Sequence, residues 1–234
     1  MHQVLNCSIN CIVTLRKSMA ALALGVFLTS CVAGEKVTAI PFDRGLTQWA
    51  VEQLPGGSVV AKDGVLVIDD HQGCTVWLRE KLTAPVEISY DVTVVMNGGP
   101  NDRVSDVNCF WMATDPVKAG RPDGRSGKFA DYDPLRLYYV GMGGNTNSTT
   151  RFRRYAGDGA KPLLAGYDLT GADVLLAPNA TYHLRIVARD GVAEFWRDGK
   201  KIFSFKDPAP LTAGWFGFRT VHSHLEIRNF RISR

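Results

Sequence analysis

An all-β sandwich of two antiparallel sheets, a jelly roll, is the fold class that this 234-residue sequence predicts, on three observations. Short runs rich in Val, Ile, Phe, Tyr and Thr recur at near-regular spacing from Val59 to the C-terminus. Asp-Gly pairs stand between several of them, at Asp63-Gly64, Asp190-Gly191 and Asp198-Gly199, and this dipeptide favours the two-residue turn of a β-hairpin. No segment sustains apolar residues at helical spacing.

The chain starts with an address. Arg16 and Lys17 precede the apolar run MAALALGVFL, which closes on Leu28-Thr29-Ser30-Cys31. A core of about a dozen apolar residues falls short of the ~20 that span a bilayer, so it reads as a removable signal. It resembles the bacterial lipoprotein signal, whose lipobox ends in an acylated cysteine; an ordinary signal peptide cut nearby is the alternative. Residues 1–31 are therefore expected to be the signal, with lipidation at Cys31, and residues 32–234 a single jelly-roll domain of the cell envelope, lipid-anchored or secreted. Cys74 and Cys109 remain in that domain. They can pair or stay as buried thiols, and the thiols are favoured because a large core needs no staple.

The strands come next, in chain order. VVAKDGVLVID reads as a hairpin about Asp63-Gly64, and GCTVWLREKL, VEISYDVTVVM, VNCFWMA, PLRLYYVGM and TTRFRRY as the next strands. TYHLRIVARDGVAEFWRDGKKIFSF carries two further Asp-Gly turns, and WFGFRTV and HLEIRNFRIS close the chain. GGPNDRVSD and GMGGNTNST, rich in Gly, Asn and Asp, read as loops at the sandwich edge. Lys and Arg number 27 against 23 Asp and Glu, with no block of five like charges, so nucleic acid is not an expected partner.

The succession TYHLRIVARDG, WRDGKKIFSF, AGWFGFRT and IRNFRIS resembles the end of the concanavalin A-like (laminin G-like) jelly roll. LTQWAVEQ, KDGVLVID and CTVWLREKL are similar to the start of secreted 3-keto-disaccharide hydrolase-like domains. The interior looks closer to an uncharacterised secreted family related to the YesU-type proteins, which are encoded near rhamnogalacturonan-degrading enzymes. The resemblance spans about Pro41 to Arg234. It implies the fold and an oligosaccharide or polysaccharide partner, and no settled reaction.

Alternation divides the strands into faces. In VNCFWMA, Val107, Cys109, Trp111 and Ala113 are expected to share one face, and Asp106, Asn108, Phe110 and Met112 the other. In GCTVWLRE, Cys74, Val76 and Leu78 oppose Thr75, Trp77 and Arg79. With the cysteines inward, Trp77, Arg79, Asp106 and Asn108 fall on the outward surface. Trp beside Arg, Asp and Asn suits a sugar, which offers an apolar ring face and hydroxyls that need partners. A mixed outer face meeting water is the plainer reading.

Arg136 and Tyr138 share a face in PLRLYYVGM, as do Arg151, Arg153 and Tyr155 in TTRFRRY. Guanidiniums there suit a uronate carboxylate, and a Tyr or His beside them suits removal of the adjacent proton; arginines on a solvated edge are the alternative. In WFGFRTVHSHLE, core phenylalanines place Trp215 and Arg219 together, with His222 and His224 at the strand end. His-x-His lacks a third ligand at telling spacing, so zinc is not expected. No Glu-x-Asp-x-Glu strand motif occurs, which disfavours retaining hydrolysis by paired carboxylates. No cofactor is required, although Asn101, Asp102 and Asp106 are candidates for a structural calcium.

These readings make the expected function that of an extracytoplasmic carbohydrate-active protein, a lyase or hydrolase acting on acidic plant or algal polysaccharide fragments. Tyr138 or His224 would move the proton, Arg136 and Arg219 hold negative charge, and Asn108 position the sugar. Trp77, Arg79, Asp106, Arg151, Arg153 and Trp215 would complete the binding surface. A non-catalytic carbohydrate-binding lipoprotein is the alternative. A structural envelope lipoprotein becomes the better reading where loops cover Trp77 and Trp215.

Overall fold

Along the strand Val86–Val94, Val86, Ile88, Tyr90, Val92 and Val94 are buried while the residues between them are half-exposed. This period-two pattern is that of a strand with one face in a core, and it recurs in the strands Val65–Asp70 and Val192–Arg197 of the same sheet. The structure is a computed structural model that describes residues 36–234; the expected signal and Cys31 lie outside the described residues.

The strands are β1 (Val37–Ala39), β2 (Trp49–Gln53), β3 (Ser58–Lys62), β4 (Val65–Asp70), β5 (Cys74–Leu78), β6 (Leu82–Thr83), β7 (Val86–Val94) and β8 (Val107–Thr114). After these come β9 (Arg136–Gly143), β10 (Thr149–Ala156), β11 (Asp168–Leu169), β12 (Thr181–Arg189), β13 (Val192–Arg197), β14 (Lys200–Lys206), β15 (Ala213–Thr220) and β16 (Ser223–Ser233). They form two antiparallel sheets. The first runs β14-β13-β12-β7-β16-β4-β3 with β1 on β16, and the second β11-β10-β9-β8-β15-β5-β2 with β6 on β15. The chain crosses between sheets from β4 to β5 and from β7 to β8, giving the jelly-roll sandwich expected.

The three Asp-Gly pairs join β3 to β4, β12 to β13 and β13 to β14. Each has both residues at positive φ, from 50° to 52° at Asp and 75° to 77° at Gly, the twist of the favoured hairpin turn. Between the sheets, Trp49, Tyr90, Phe216, Phe218 and Phe230 pack together, Tyr90 and Phe218 edge to face at 5.0 Å. Burying each such side chain contributes about 1.5–3 kcal/mol.

Cys74 and Cys109 point into this core as free thiols. They lie on β5 and β8, which β15 separates, opposite Thr220 and Phe218 of that strand. Two steps of about 4.8 Å between strands exceed the ~7 Å Cα separation a disulfide spans. Burial pushes the Cys109 thiol up to about 12, which makes it inert.

Alternation fails at one place in β8. Met112, at φ 52°, forms a bulge where the pairing to both neighbours shifts. Met112 thus joins the core between the sheets, and Ala113 the opposite face, the reverse of the simple parity, because a bulge inserts one residue and flips the facing of the next ones.

The second sheet is buried on both faces. All five residues of β5 and seven of the eight in each of β8, β9 and β15 are buried. Its outer face carries a second cluster containing Trp77, Phe110, Tyr132, Leu137, Tyr139, Tyr155 and Trp215. Segment 115–135, which leads on from β8 and ends in the 3-10 turn Phe129–Tyr132, lies over it. Glu52, itself buried, holds the segment: its carboxylate accepts from Tyr132 Oη (2.7 Å), the Arg125 amide (2.8 Å) and Trp77 Nε1 (3.0 Å). Gly127 makes the close approach possible. At φ 99° it lies so near the backbone of Gly73, Glu52 and Leu54 that a Cβ would come within 3.0 Å of each.

Candidate functional site

Segment 115–135 leaves part of the outer face of the second sheet uncovered, and a cleft of about 340 Å3 forms there at β9 and β10. Cross-strand register shows how the sequence assembles it. One row runs Glu52, Thr75, Arg219, Asn108, Gly141, Arg151, Asp168, and the next Ala50, Trp77, Gly217, Phe110, Tyr139, Arg153. Moving along either row toward β10, aromatic and buried groups give way to arginines. Gly141 is needed where it stands: a Cβ would sit 2.3 Å from the Tyr139 hydroxyl, so its absence lets that phenol lie across the floor of the cleft.

The walls are strongly cationic. Arg103, Arg151, Arg153 and Lys161 line the cleft, against Asp106 as its lining carboxylate. Most of these charges have partners. Arg103 pairs with Asp106 at 2.5 Å, Arg151 grips Asp168 through Nε and Nη2 at 3.1 and 3.3 Å, and Lys161 meets Asp133 at 2.8 Å. Arg153 instead donates to the Lys161 carbonyl. Tyr139, 5% exposed, and Tyr155, fully buried, underlie the cleft without offering an open ring face, and burial drives both phenols well above the usual tyrosine range, opposed by Arg219 and Arg153.

One edge of the cleft is strained. Asn145, Thr146 and Asn147 lie in succession at φ 52°, 56° and 57°, a left-handed turn that is unfavourable for a β-branched residue such as Thr146. The Asn147 side chain secures it by accepting from the Leu176 amide and donating to the Leu176 carbonyl, each at 2.9 Å.

The residues singled out from the sequence do not converge on one place. Asp106, Arg151, Arg153 and Tyr155 meet at the cleft, and Asn108 lies in the row behind it. Trp77 faces outward as parity requires, yet segment 115–135 buries it and its indole N–H is spent on Glu52, so no sugar can stack on it. Trp215 is similarly buried, with Lys81 over its ring at 5.1 Å, and donates to the carbonyl of Arg79, whose own side chain is exposed at the end of β5 outside the cleft. Arg219 is 1% exposed beneath the segment; the face of Trp77 and Trp215 is thus covered, the condition under which the sequence favoured a structural role, and a sugar site is left to the uncovered cleft alone.

Tyr138 and His224 do not share a site. Tyr138 turns inward with Val140, its hydroxyl donating to Asp207 at 2.7 Å, while Arg136 is exposed at the strand end and donates to the Ala156 carbonyl. His224 stands on β16 of the other sheet, its Nδ1 2.9 Å from Asp102 Oδ1. The pairing of β9 with β10 sets Arg154 opposite Tyr138 and Arg153 opposite Tyr139, so the tyrosine beside the arginines is Tyr139. The calcium candidates also diverge: Asn101 donates to Asp69, Asp102 accepts from the amides of Asn97 and Gly99, and Asp106 pairs with Arg103.

Sequence reasoning missed Tyr139, Arg103, Lys161, Phe129 and Glu52. The β9–β10 register would have revealed Tyr139. The others come from loops and a neighbouring strand with no pattern pointing to the cleft.

Comparison with known proteins supports the fold. The family model described as "Domain of unknown function (DUF6250)" matches residues 68–230. No curated protein matches. A protein of unknown function with a galectin-like fold from Bacillus subtilis is 17% identical, over 80% of this chain and 89% of that one, with a TM-score of 0.61. The carbohydrate-binding module CBM66 from Bacillus subtilis is 13% identical, over 80% and 96%, at 0.52. A prokaryotic β-1,3-1,4-glucanase (lichenase) from a mouse hindgut metagenome is 12% identical, over 84% and 98%, at 0.53. These likenesses establish a galectin-like, concanavalin A-like jelly roll.

Proposed function

The chain belongs to the DUF6250 family, and from that premise we propose that it is a carbohydrate-binding protein of the cell envelope that takes an acidic saccharide in the cleft at β9 and β10. The lining of the cleft carries this reading: of its four cations, Arg103, Arg151 and Lys161 have carboxylate partners and Arg153 bonds only to a carbonyl, which leaves its charge for a ligand. Arg153 can give a forked pair of N–H donors to a uronate carboxylate. Folds of this kind in a carbohydrate-binding module and a lichenase support a sugar as ligand. Anchoring through Cys31 is part of the same proposal.

Binding is favoured over turnover by the state of the phenols. A lyase needs a group that accepts the proton beside the carboxylate, and burial raises the Tyr139 phenol above its usual range, which works against that role. A hydrolase of the usual kind needs two carboxylates flanking the bond, whereas Asp106 is the one that lines the cleft and it is spent on Arg103, Ser105 and Asn108.

Calorimetric titration of the purified protein with oligogalacturonate, its fully methyl-esterified form and neutral oligosaccharides tests the proposal. The expected result is binding of the acid at least tenfold tighter than of its ester, with ligand mass unchanged after long incubation. Equal affinities would overturn the acidic assignment. Unsaturated products would replace the binding reading by a lyase working through Tyr139.

A further inference from the structure

The cleft has an inner wall that its lining does not account for. Behind Phe129 lies Arg219, 1% exposed, whose Nη1 donates to Thr75 Oγ1 at 3.2 Å and to the Gly127 carbonyl. Its partners are a hydroxyl and a carbonyl, with no carboxylate among them, and Nε and Nη2 have no hydrogen-bond partner. The rings of Phe129 and Tyr132 cover the guanidinium at 5.1 and 5.2 Å. Its cross-strand neighbour is Asn108, 4% exposed, which donates to Asp106 but leaves its own Oδ1 without a partner. Two donor nitrogens and one acceptor oxygen, all buried and without partners, thus belong to cross-strand neighbours on one row of the sheet.

A buried cation whose hydrogen-bond partners are all neutral is costly, even with the Asp70 carboxylate near enough to favour its charge, and so is a buried polar atom left without a partner. Folds keep such groups where something else completes them. The complement of this pair is defined: a carboxylate accepting both free N–H groups of Arg219, carried by a molecule whose neighbouring hydroxyl donates to Asn108 Oδ1. Sugar acids have this arrangement. Phe129 both lines the cleft and covers the guanidinium, so its half-buried ring is what separates Arg219 from the cleft.

We propose that Arg219 and Asn108 form a recessed hydroxy-carboxylate site, entered past Phe129, that reads the acid group of the saccharide held in the cleft. This rests on the reading of the cleft as a sugar site and goes beyond it in assigning the acid preference to Arg219, with Arg153 as an outer contact.

The test compares affinities for oligogalacturonate and its methyl ester in the native protein, Arg219→Gln and Arg153→Gln. The recessed site requires the preference for the acid to fall from at least tenfold in the native protein to about onefold in Arg219→Gln, and to remain severalfold in Arg153→Gln. A native protein with no preference would sink the acidic-cleft reading itself. A native preference that Arg219→Gln retains would overturn the recessed site while leaving the cleft intact. Should Arg219→Gln fail to fold, Phe129→Ala decides: with Arg219 in place and the passage widened, association of the acid should quicken severalfold, and an unchanged or slower rate would overturn the proposal.

Discussion

The two halves of one sheet face behave oppositely. Around Trp77, Phe110 and Tyr132 the outer face of the second sheet is sealed by segment 115–135 and is a second core. Around Tyr139, Arg151 and Arg153, on the same rows, it is an open cationic cleft. The strands are alike in composition and spacing; the difference is which of them the segment reaches. Outward-facing tryptophans therefore mark the closed half, and the candidate site lies where the aromatic groups are tyrosines beside arginines.

The comparison breaks most sharply at Trp77. Trp77→Ala should cost about 3–5 kcal/mol, because a large buried ring is removed and a cavity remains. Urea unfolding measures this, and a loss under about 1 kcal/mol would show that the closed half is not a core.

Glu52→Gln should cost less, about 1–3 kcal/mol, since an amide offers one acceptor oxygen where three donors converge. Faster proteolytic cleavage within segment 115–135, with far-ultraviolet circular dichroism unchanged, would locate the loss at the segment.

Acid should loosen the same segment. Burial opposes ionisation of Asp115, but hydrogen bonds from Arg125 and from the amides of Val117 and Lys118 outweigh it and hold the carboxyl below its usual range. A hydrogen bond from Ser126 does the same for Asp131. With native pKa values depressed, the unfolded chain takes up protons first as pH falls. The stabilisation is then present above about pH 4 and is lost as pH drops through the native values. Tryptophan emission followed down through this range should shift to the red, and Asp115→Asn should flatten the acid dependence of the melting temperature.

The smallest effect on stability belongs to the open half. Arg153→Gln should change unfolding free energy by no more than about 0.5 kcal/mol, while weakening affinity for oligogalacturonate severalfold. A large loss of stability would move Arg153 from ligand contact to structural support.

Much of the fold was legible because it arises from local geometry. A two-residue turn demands left-handed backbone, and Asp-Gly supplies it at Asp63, Asp190 and Asp198. A strand has period two, so Cys74 and Cys109 could be set inward and Trp77 and Asn108 outward before any packing was known. Arg151, Arg153 and Tyr155 were placed on one face by the same rule, and they line one cleft. The rule failed at Met112, where a bulge leaves no mark in composition. It also gave no register between strands, and so chose Tyr138 where the arginines face Tyr139.

By itself, then, the sequence determined a jelly roll, its hairpins and, outside the bulge at Met112, which side chains share a face, because backbone sterics and side-chain alternation act over a few residues. Only the tertiary structure decided which outward face meets water. That depends on where segment 115–135, which has no periodicity of its own, finds its anchor, and Glu52, more than 60 residues before its end, is the buried carboxylate that receives it.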